Sequence, residues 1–93
     1  MKVIQSRSFE KKIKRFRKKD KKILDRQIRR ILDNPGIGQE KKGDLRGVFV
    51  HKCKIQTIQH LLSYRFVGDA LELIMIGPHE NYYRDLKTYL KGR

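Results

Sequence analysis

Gln56–Ile76 reads QTIQHLLSYRFVGDALELIMI, and this stretch decides the fold class. Gly68-Asp69 predicts a tight hairpin turn. Leu71–Ile76 is almost continuously apolar, which is typical of a strand covered on both faces. Before the turn, side chains at every second position are apolar, as in a strand with one buried face: Ile58, Leu62, Tyr64 and Phe66. The stretch therefore predicts a β-hairpin.

The sequence before this hairpin has helical periodicity. Ser8 and Asp20 are the expected N-caps of two helices, because their side-chain oxygens accept from free N–H groups of a first turn. Asn34-Pro35-Gly36 should end the second helix, since proline disfavours a helical residue before it. The apolar positions fall at i, i+3 and i+4 spacings: Phe9, Ile13 and Phe16 in the first helix, then Ile23, Leu24, Ile28, Ile31 and Leu32.

The remaining segments complete an α+β pattern. Met1–Gln5 predicts a first strand, 37–43 a loop, and Val48–Val50 the start of another strand. After Gly77-Pro78 a last helix is expected, with one face formed by His79, Tyr82, Tyr83, Leu86, Tyr89 and Leu90. The predicted order is β-α-α-β-β-β-α, a helical hairpin packed on a small, mostly antiparallel sheet, in one domain spanning residues 1–93.

The charge is strongly biased towards the first third. The 93 residues carry 24 lysines and arginines against ten acids, a net +14, and fourteen of these cations lie between Lys2 and Arg30. Such a field favours a polyanion, above all nucleic acid, or an acidic protein. A solvated face kept soluble by charge is the alternative interpretation. The predicted RNA-binding residues of the helices are Lys11, Lys14, Arg15, Lys18 and Lys22.

Composition excludes several classes of protein. Cys53 is the only cysteine, so an internal disulfide is impossible and a reducing cytoplasm is expected. The sequence has neither an 18-residue apolar run nor a secretory signal, so we expect a cytoplasmic protein without a membrane span. Metal-ligand spacing is absent among the histidines, and we expect no metal and no cofactor.

The candidate chemistry lies in the strand-rich half. His51, His60 and His79 follow or occupy predicted strands and can converge on one face of the sheet. Histidine suits general acid–base work, which RNA cleavage by its own 2′-hydroxyl requires. The cation at the charged phosphorane would come from Lys52, Lys54 or Arg65, and Tyr82 or Tyr83 would stack on a base. The alternatives are hydrogen-bonded structural histidines and tyrosines that pack the last helix.

Several motifs of this chain resemble the RelE/ParE superfamily of toxins from bacterial type II toxin–antitoxin modules. They are Lys42–Gly47 (KGDLRG), Ser63–Phe66 (SYRF) and Ile76–Tyr83 (IGPHENYY). The resemblance covers essentially the whole chain. It implies a microbial-RNase-like fold and, in many members, cleavage of mRNA on the ribosome, whereas ParE branches inhibit DNA gyrase. It also implies an acidic antitoxin that wraps the toxin.

The tail Gly77-Pro78-His79-x-x-x-Tyr83 looks most like the YafQ-type ribonucleases. That resemblance implies a general acid or base role for His79 and base stacking for Tyr83. His51 matches by context a histidine that the branch has on its second strand, and an aromatic that the branch has early on its third strand falls near His60. The chain departs from the branch at Gln59, which stands where the branch has an aspartate. It also has Lys41 and Lys42 where the branch has a histidine.

Three hypotheses follow. The first is a ribosome-dependent endoribonuclease whose catalytic residues are His51, His60, His79, Tyr83 and Arg65, and whose partners are the ribosome with mRNA and an acidic antitoxin. The second is a non-catalytic, ParE-like inhibitor of DNA gyrase. The third is a plain nucleic-acid-binding module, whose affinity would weaken steeply with salt.

Overall fold

A computed structural model describes residues 2–92, so Met1 of the first predicted strand lies outside the described residues. Over this range the chain forms three α-helices: α1 (Arg7–Ile13), α2 (Lys18–Asp33) and α3 (Tyr82–Lys91). It also forms five strands: β1 (Lys2–Gln5), β2 (Gln39–Glu40), β3 (Phe49–Ile55), β4 (Ile58–Val67) and β5 (Ala70–Pro78). The strands make one sheet in the order β1-β5-β4-β3-β2, parallel between β1 and β5 and antiparallel elsewhere. The predicted α+β class is confirmed.

The central hairpin is formed by β4 and β5. Val67 pairs with Ala70, and Gly68 in the turn between them has φ +61°. Glycine adopts this left-handed conformation without a steric penalty, so the predicted Gly68-Asp69 turn is confirmed. The register shifts between Ser63 and Tyr64, because Ile74 of β5 is an extra residue without a partner on β4.

The sheet has a separate core on each face. The helical hairpin of α1 and α2 covers one face, where Phe9, Leu24 and Ile31 pack against the strands. Helix α3 covers the other face, where Tyr82 and Leu86 pack on Leu61. The almost continuously apolar β5 supplies both cores, Leu71 and Leu73 to the first and Ile74 to the second, so this sequence pattern is explained by burial on both faces.

The first helix is capped by Ser6 rather than Ser8. The Ser6 hydroxyl accepts from the Phe9 N–H at 3.1 Å and donates to the Ile74 carbonyl, which ties α1 to β5. Ser6 has extended backbone (φ −71°, ψ 164°), whereas Ser8 lies inside α1. The prediction of Ser8 was wrong because β1 ends at Gln5 and α1 begins at Arg7, so the N-cap position falls on Ser6.

The second predicted cap, Asp20, was also wrong. Helix α2 begins at Lys18, with Arg17 in the N-cap position. Asp20 lies in the first turn, where its carboxylate accepts from Gln56 Nε2 at 2.9 Å and pairs with Arg17 at 3.6 Å. The aspartate therefore holds the β3–β4 turn against α2.

Two further boundaries differ from the prediction. The expected loop at 37–43 contains β2, whose Gln39 and Glu40 pair with Val50 and Phe49. Helix α3 begins at Tyr82, so His79 lies in the connection before the helix rather than on its apolar face. Among residues 2–92, no helix is long and apolar enough to cross a membrane.

Candidate functional site

The sheet separates the three histidines. His51 and Cys53 are two residues apart on β3, so they share a face. Cys53 pairs directly with His60 of β4, and directly opposed residues point to the same side. Because Cys53 belongs to the core under α1 and α2, His51 and His60 lie on the face that the helical hairpin covers.

His51 is held as a core residue. It is 7% exposed, and its Nε2 lies 2.8 Å from Oε1 of Gln27 on α2. Burial and, secondarily, the positive charge of Arg30 lower the pKa of His51. This environment favours the neutral imidazole, which matches the structural alternative that the sequence left open.

His60 is half-buried at the edge of the same face. Its Nδ1–H donates to the Ile58 carbonyl at 3.0 Å, and its ring meets that of Phe16 edge to face, with centroids 6.2 Å apart. Phe16 belongs to the connection between α1 and α2. His60 is thus engaged with the helical hairpin, not with α3.

His79 lies with α3, in contact with Tyr83. The two rings are 6.0 Å apart at 81°, and the Tyr82 N–H donates to the His79 carbonyl at 3.1 Å. His79 is exposed and Tyr83 is half-buried, so substrate can reach both. The predicted pair of an acid–base group and a stacking ring is therefore brought together.

Lys52 and Lys54 lie on the same side of the sheet as α3. Lys52 pairs with Leu61, a residue of the core under α3, and Lys54 pairs with Gln59. His60 pairs with Pro78, the last residue of β5, so His79 follows directly after the end of β5 that lies opposite His60. Strand β4 separates β5 from β3, and two inter-strand spacings amount to about 10 Å.

This part of the sheet has an open edge. Strand β2 pairs only with Phe49 and Val50, so the second half of β3 has no strand beyond it within residues 2–92. A groove runs along that edge, lined by Gln27, Arg30, Lys52, Cys53, Lys54 and Gln59. Lys52 and Lys54 are exposed there, and together with Arg30 they make this edge of the sheet positively charged.

Lys41 is a site residue that the sequence analysis did not assign. Its ammonium lies 5.0 Å from the centroid of the Tyr83 ring. The contact depends on β2, which brings Lys41 next to β3. A two-residue strand has no periodicity of its own, so the sequence held no signal for this placement.

Arg65 is not part of this group. Its Nε donates to Glu72 Oε1 at 2.7 Å across β4 and β5, and Glu72 is buried. Arg65 is also five residues from His60 along β4, roughly 17 Å at the rise of an antiparallel strand. The structure therefore places Arg65 in a cross-strand ion pair, far from His79.

Tyr82 is a core residue. It is 3% exposed, and its hydroxyl lies 2.8 Å from both Ser63 Oγ and the Met75 carbonyl oxygen. Burial, above all, raises its pKa. Its ring is not available for stacking on a base, so the predicted RNA-binding role of Tyr82 does not fit the structure.

The predicted cations of the helices are all exposed: Lys11, Lys14, Arg15, Lys18 and Lys22. A shallow groove along α2 is lined by five cations and one acid. We call the cations of this groove the α2 basic surface: Lys18, Lys21, Lys22, Arg26 and Arg29. The acid, Asp25, pairs with Arg29 at 3.2 Å. One carboxylate among five cations leaves the surface strongly positive, as polyanion binding requires.

Within the described residues, no three histidine, cysteine or carboxylate side chains are grouped as metal ligands would be. The candidate site combines the cations of the sheet edge, Lys52 and Lys54, with the exposed His79 and the half-buried ring of Tyr83 at the start of α3. Such a set can hold a phosphate, stack a base and transfer a proton.

The sequence matches one family, described as ParE-like toxin of type II bacterial toxin–antitoxin system, over residues 3–87. No curated protein matches the chain.

Solved structures are similar over most of their length. The YoeB/ParE toxin from Agrobacterium tumefaciens is 25% identical, with TM-score 0.65, over 85% of this chain and 99% of that one. The intact E. coli RelBE toxin–antitoxin complex gives 16% identity and TM-score 0.66, over 85% and 96%. A mutant of E. coli toxin RelE in the free state gives 14% and 0.71, over 97% and 95%.

Proposed function

The chain belongs to the ParE-like toxins of type II bacterial toxin–antitoxin systems, within the RelE/ParE superfamily, and from this premise we propose that it is a ribosome-dependent endoribonuclease that cleaves mRNA. The observation that carries the proposal is the contact between His79 and Tyr83, whose rings are 6.0 Å apart, on the side of the sheet to which the exposed Lys52 and Lys54 also belong. A proton-transfer group, a stacking ring and two cations are each groups that can contribute to RNA cleavage.

In the proposed reaction, the 2′-oxygen of the substrate attacks the adjacent phosphorus and the bond to the 5′-oxygen breaks. A proton leaves the 2′-hydroxyl and another reaches the 5′-oxygen, which yields a 2′,3′-cyclic phosphate and a free 5′-hydroxyl. His79 carries out one of these proton transfers, and solvent water accepts or supplies the other proton. Lys52 and Lys54 stabilise the charge on the non-bridging oxygens, and Tyr83 stacks on a neighbouring base.

The test is cleavage in a translating extract, with mRNA ends mapped by primer extension. Wild-type toxin should give cuts at defined positions within codons. His79→Ala should lower the cleavage rate by roughly 10²- to 10⁴-fold, the usual contribution of an acid–base group. His51→Gln is the matched control, because His51 is buried against α2. Absence of cuts with the wild type, or equal rates with His79→Ala, rules out the mechanism.

A second candidate, inhibition of DNA gyrase, is favoured by one observation: the matching family is described as ParE-like. In that case the basic helices would contact the target and the histidines would be structural. A supercoiling assay with purified gyrase separates the two functions, since only the second predicts inhibition without RNA cuts.

We propose an acidic antitoxin as the partner that neutralises the toxin. The E. coli RelBE structure is a toxin–antitoxin complex with the same fold. The net charge of +14 of this chain favours a partner with an acidic surface. A small acidic protein encoded beside this gene should co-purify with the toxin and suppress cleavage. A neighbouring product that is basic, or that leaves cleavage unchanged, contradicts this partner.

A further inference from the structure

We propose that Lys41 is a further substrate-binding residue of this site. In the free protein its ammonium rests on the ring of Tyr83, and it moves to the scissile phosphate when an RNA base stacks on that ring. The inference rests on the proposed ribonuclease function and adds to it the cation that couples base stacking to phosphate binding.

The position of Lys41 is fixed by the backbone. Its N–H donates to the Val48 carbonyl at 2.9 Å, directly beyond the pairing of β2 with β3. Its Nζ donates to Gln39 Oε1 at 3.2 Å and lies 5.0 Å from the Tyr83 ring centroid. Lys41 is half-buried, whereas the neighbouring Lys42 is exposed.

The charge of this ammonium is not neutralised in the free protein. Among the salt bridges of residues 2–92, none includes Lys41. Its two neighbours are a neutral amide oxygen and an aromatic ring. Because no carboxylate among the described residues pairs with it, the Lys41 ammonium remains available for an anionic ligand.

The relative strengths of the interactions favour the exchange. A cation–π contact at a partly exposed ring is weak. A hydrogen bond from an ammonium to a phosphate oxygen is charge-assisted and stronger. A stacked base also restores the apolar contact that the ring loses when the lysine leaves. RNA binding therefore replaces a weak cation–π contact and an exposed hydrogen bond to Gln39 with a charge-assisted hydrogen bond and a stacked base. It also places the ammonium near the non-bridging oxygens where negative charge develops.

The experiment compares Lys41→Met, Lys41→Arg and Lys42→Met in single-turnover cleavage of mRNA on programmed ribosomes. Methionine keeps an apolar side chain against Tyr83 but removes the charge. Lys41→Met should cleave roughly 10- to 100-fold more slowly, the loss expected for a charged hydrogen bond. Lys41→Arg should stay within about five-fold of wild type, because it keeps the charge. Lys42→Met removes the same charge one residue away and should stay within about two-fold.

Thermal unfolding shows whether each variant is folded. If Lys41→Met does not fold, Lys41→Gln takes its place, with the same loss of roughly 10- to 100-fold in rate expected. Equal rates for Lys41→Met and Lys42→Met overturn the proposal for Lys41, while cuts by the wild type leave the ribonuclease proposal standing. A wild type that makes no cuts overturns both.

Discussion

At the scale of single residues, burial gives His51 a role in stability. The pKa of His51 is lowered by burial and by Arg30, so the folded state binds its proton less readily than the unfolded chain does. The contribution of His51 to stability is therefore greatest above the ordinary histidine pKa of about 6.5, and it falls as the pH drops below that value.

We predict that wild-type protein loses more stability between pH 7.5 and 5.5 than His51→Gln does. Urea unfolding at several pH values measures this difference, and the two proteins differ only at residue 51. If the two proteins show the same pH dependence, His51 is not held neutral by its surroundings.

Tyr64 fixes the connection between α2 and β2. Its hydroxyl donates to the Pro35 carbonyl at 2.8 Å and accepts from the Gly38 N–H at 3.0 Å. A Cβ at Gly38 would lie 2.6 Å from the Tyr64 hydroxyl oxygen, whereas a Cβ at Gly36 would meet its nearest neighbour, Asn34 Oδ1, at 3.7 Å. The two glycines of this connection therefore differ sharply in their tolerance of a side chain.

We predict that Gly38→Ala lowers the free energy of unfolding by about 1–3 kcal/mol, the range for overpacking a filled site. Gly36→Ala is the control and should change stability by less than about 0.5 kcal/mol. Chemical denaturation of both variants measures the contrast. Equal stabilities would show that the Tyr64 side chain moves aside without cost.

At the scale of elements, α3 presents adjacent tyrosines to different surroundings. Tyr82 faces the core, where its hydroxyl contacts Ser63 and Met75, and Tyr83 faces His79 and Lys41. Tyr82→Phe should cost about 1–3 kcal/mol of stability, because the buried Met75 carbonyl and Ser63 hydroxyl lose a partner. Cleavage by the folded fraction should remain near that of wild type.

Tyr83→Ala should instead lower cleavage more than it lowers stability. Loss of the stacking ring should weaken substrate binding by about 1–3 kcal/mol, with a smaller change in stability because Tyr83 is only half-buried. Thermal unfolding and cleavage rates of both variants measure the contrast. A large loss of cleavage in Tyr82→Phe at full folding would contradict this division of α3.

The same elements show what sequence periodicity can predict. Hydrophobic spacing located both long helices and the β4–β5 hairpin, because each long element must bury a continuous apolar face. Hydrophobic spacing did not predict that His79 lies on the opposite side of the sheet from His51 and His60. That separation depends on cross-strand register and on the connection before α3, and neither is visible in local spacing. Lys41 was missed for the same reason.

At the scale of the whole molecule, charge and candidate chemistry occupy different places. The α2 basic surface lies on the helical hairpin, which covers one face of the sheet. The other face, with α3, carries the candidate site residues His79, Tyr83, Lys52 and Lys54. The electrostatic field of the helices is therefore suited to docking, whereas the proposed proton transfer takes place on the other side of the sheet. Substitutions in the two regions should then affect different measured quantities.

We predict that the triple variant Lys18→Gln, Lys22→Gln, Arg26→Gln binds ribosomes more weakly and with a smaller salt dependence. For each phosphate that the variant no longer neutralises, the slope of log affinity against log salt should fall by roughly 0.7 to 0.9. Cleavage at saturating toxin should remain within a few-fold of wild type, because docking and proton transfer use different side chains. The control removes the same charge from α3, as Arg84→Gln, Lys87→Gln, Lys91→Gln. If docking uses the α2 basic surface, the first triple variant should change the slope more than the control does. If both triple variants change the slope equally, docking depends on net charge alone.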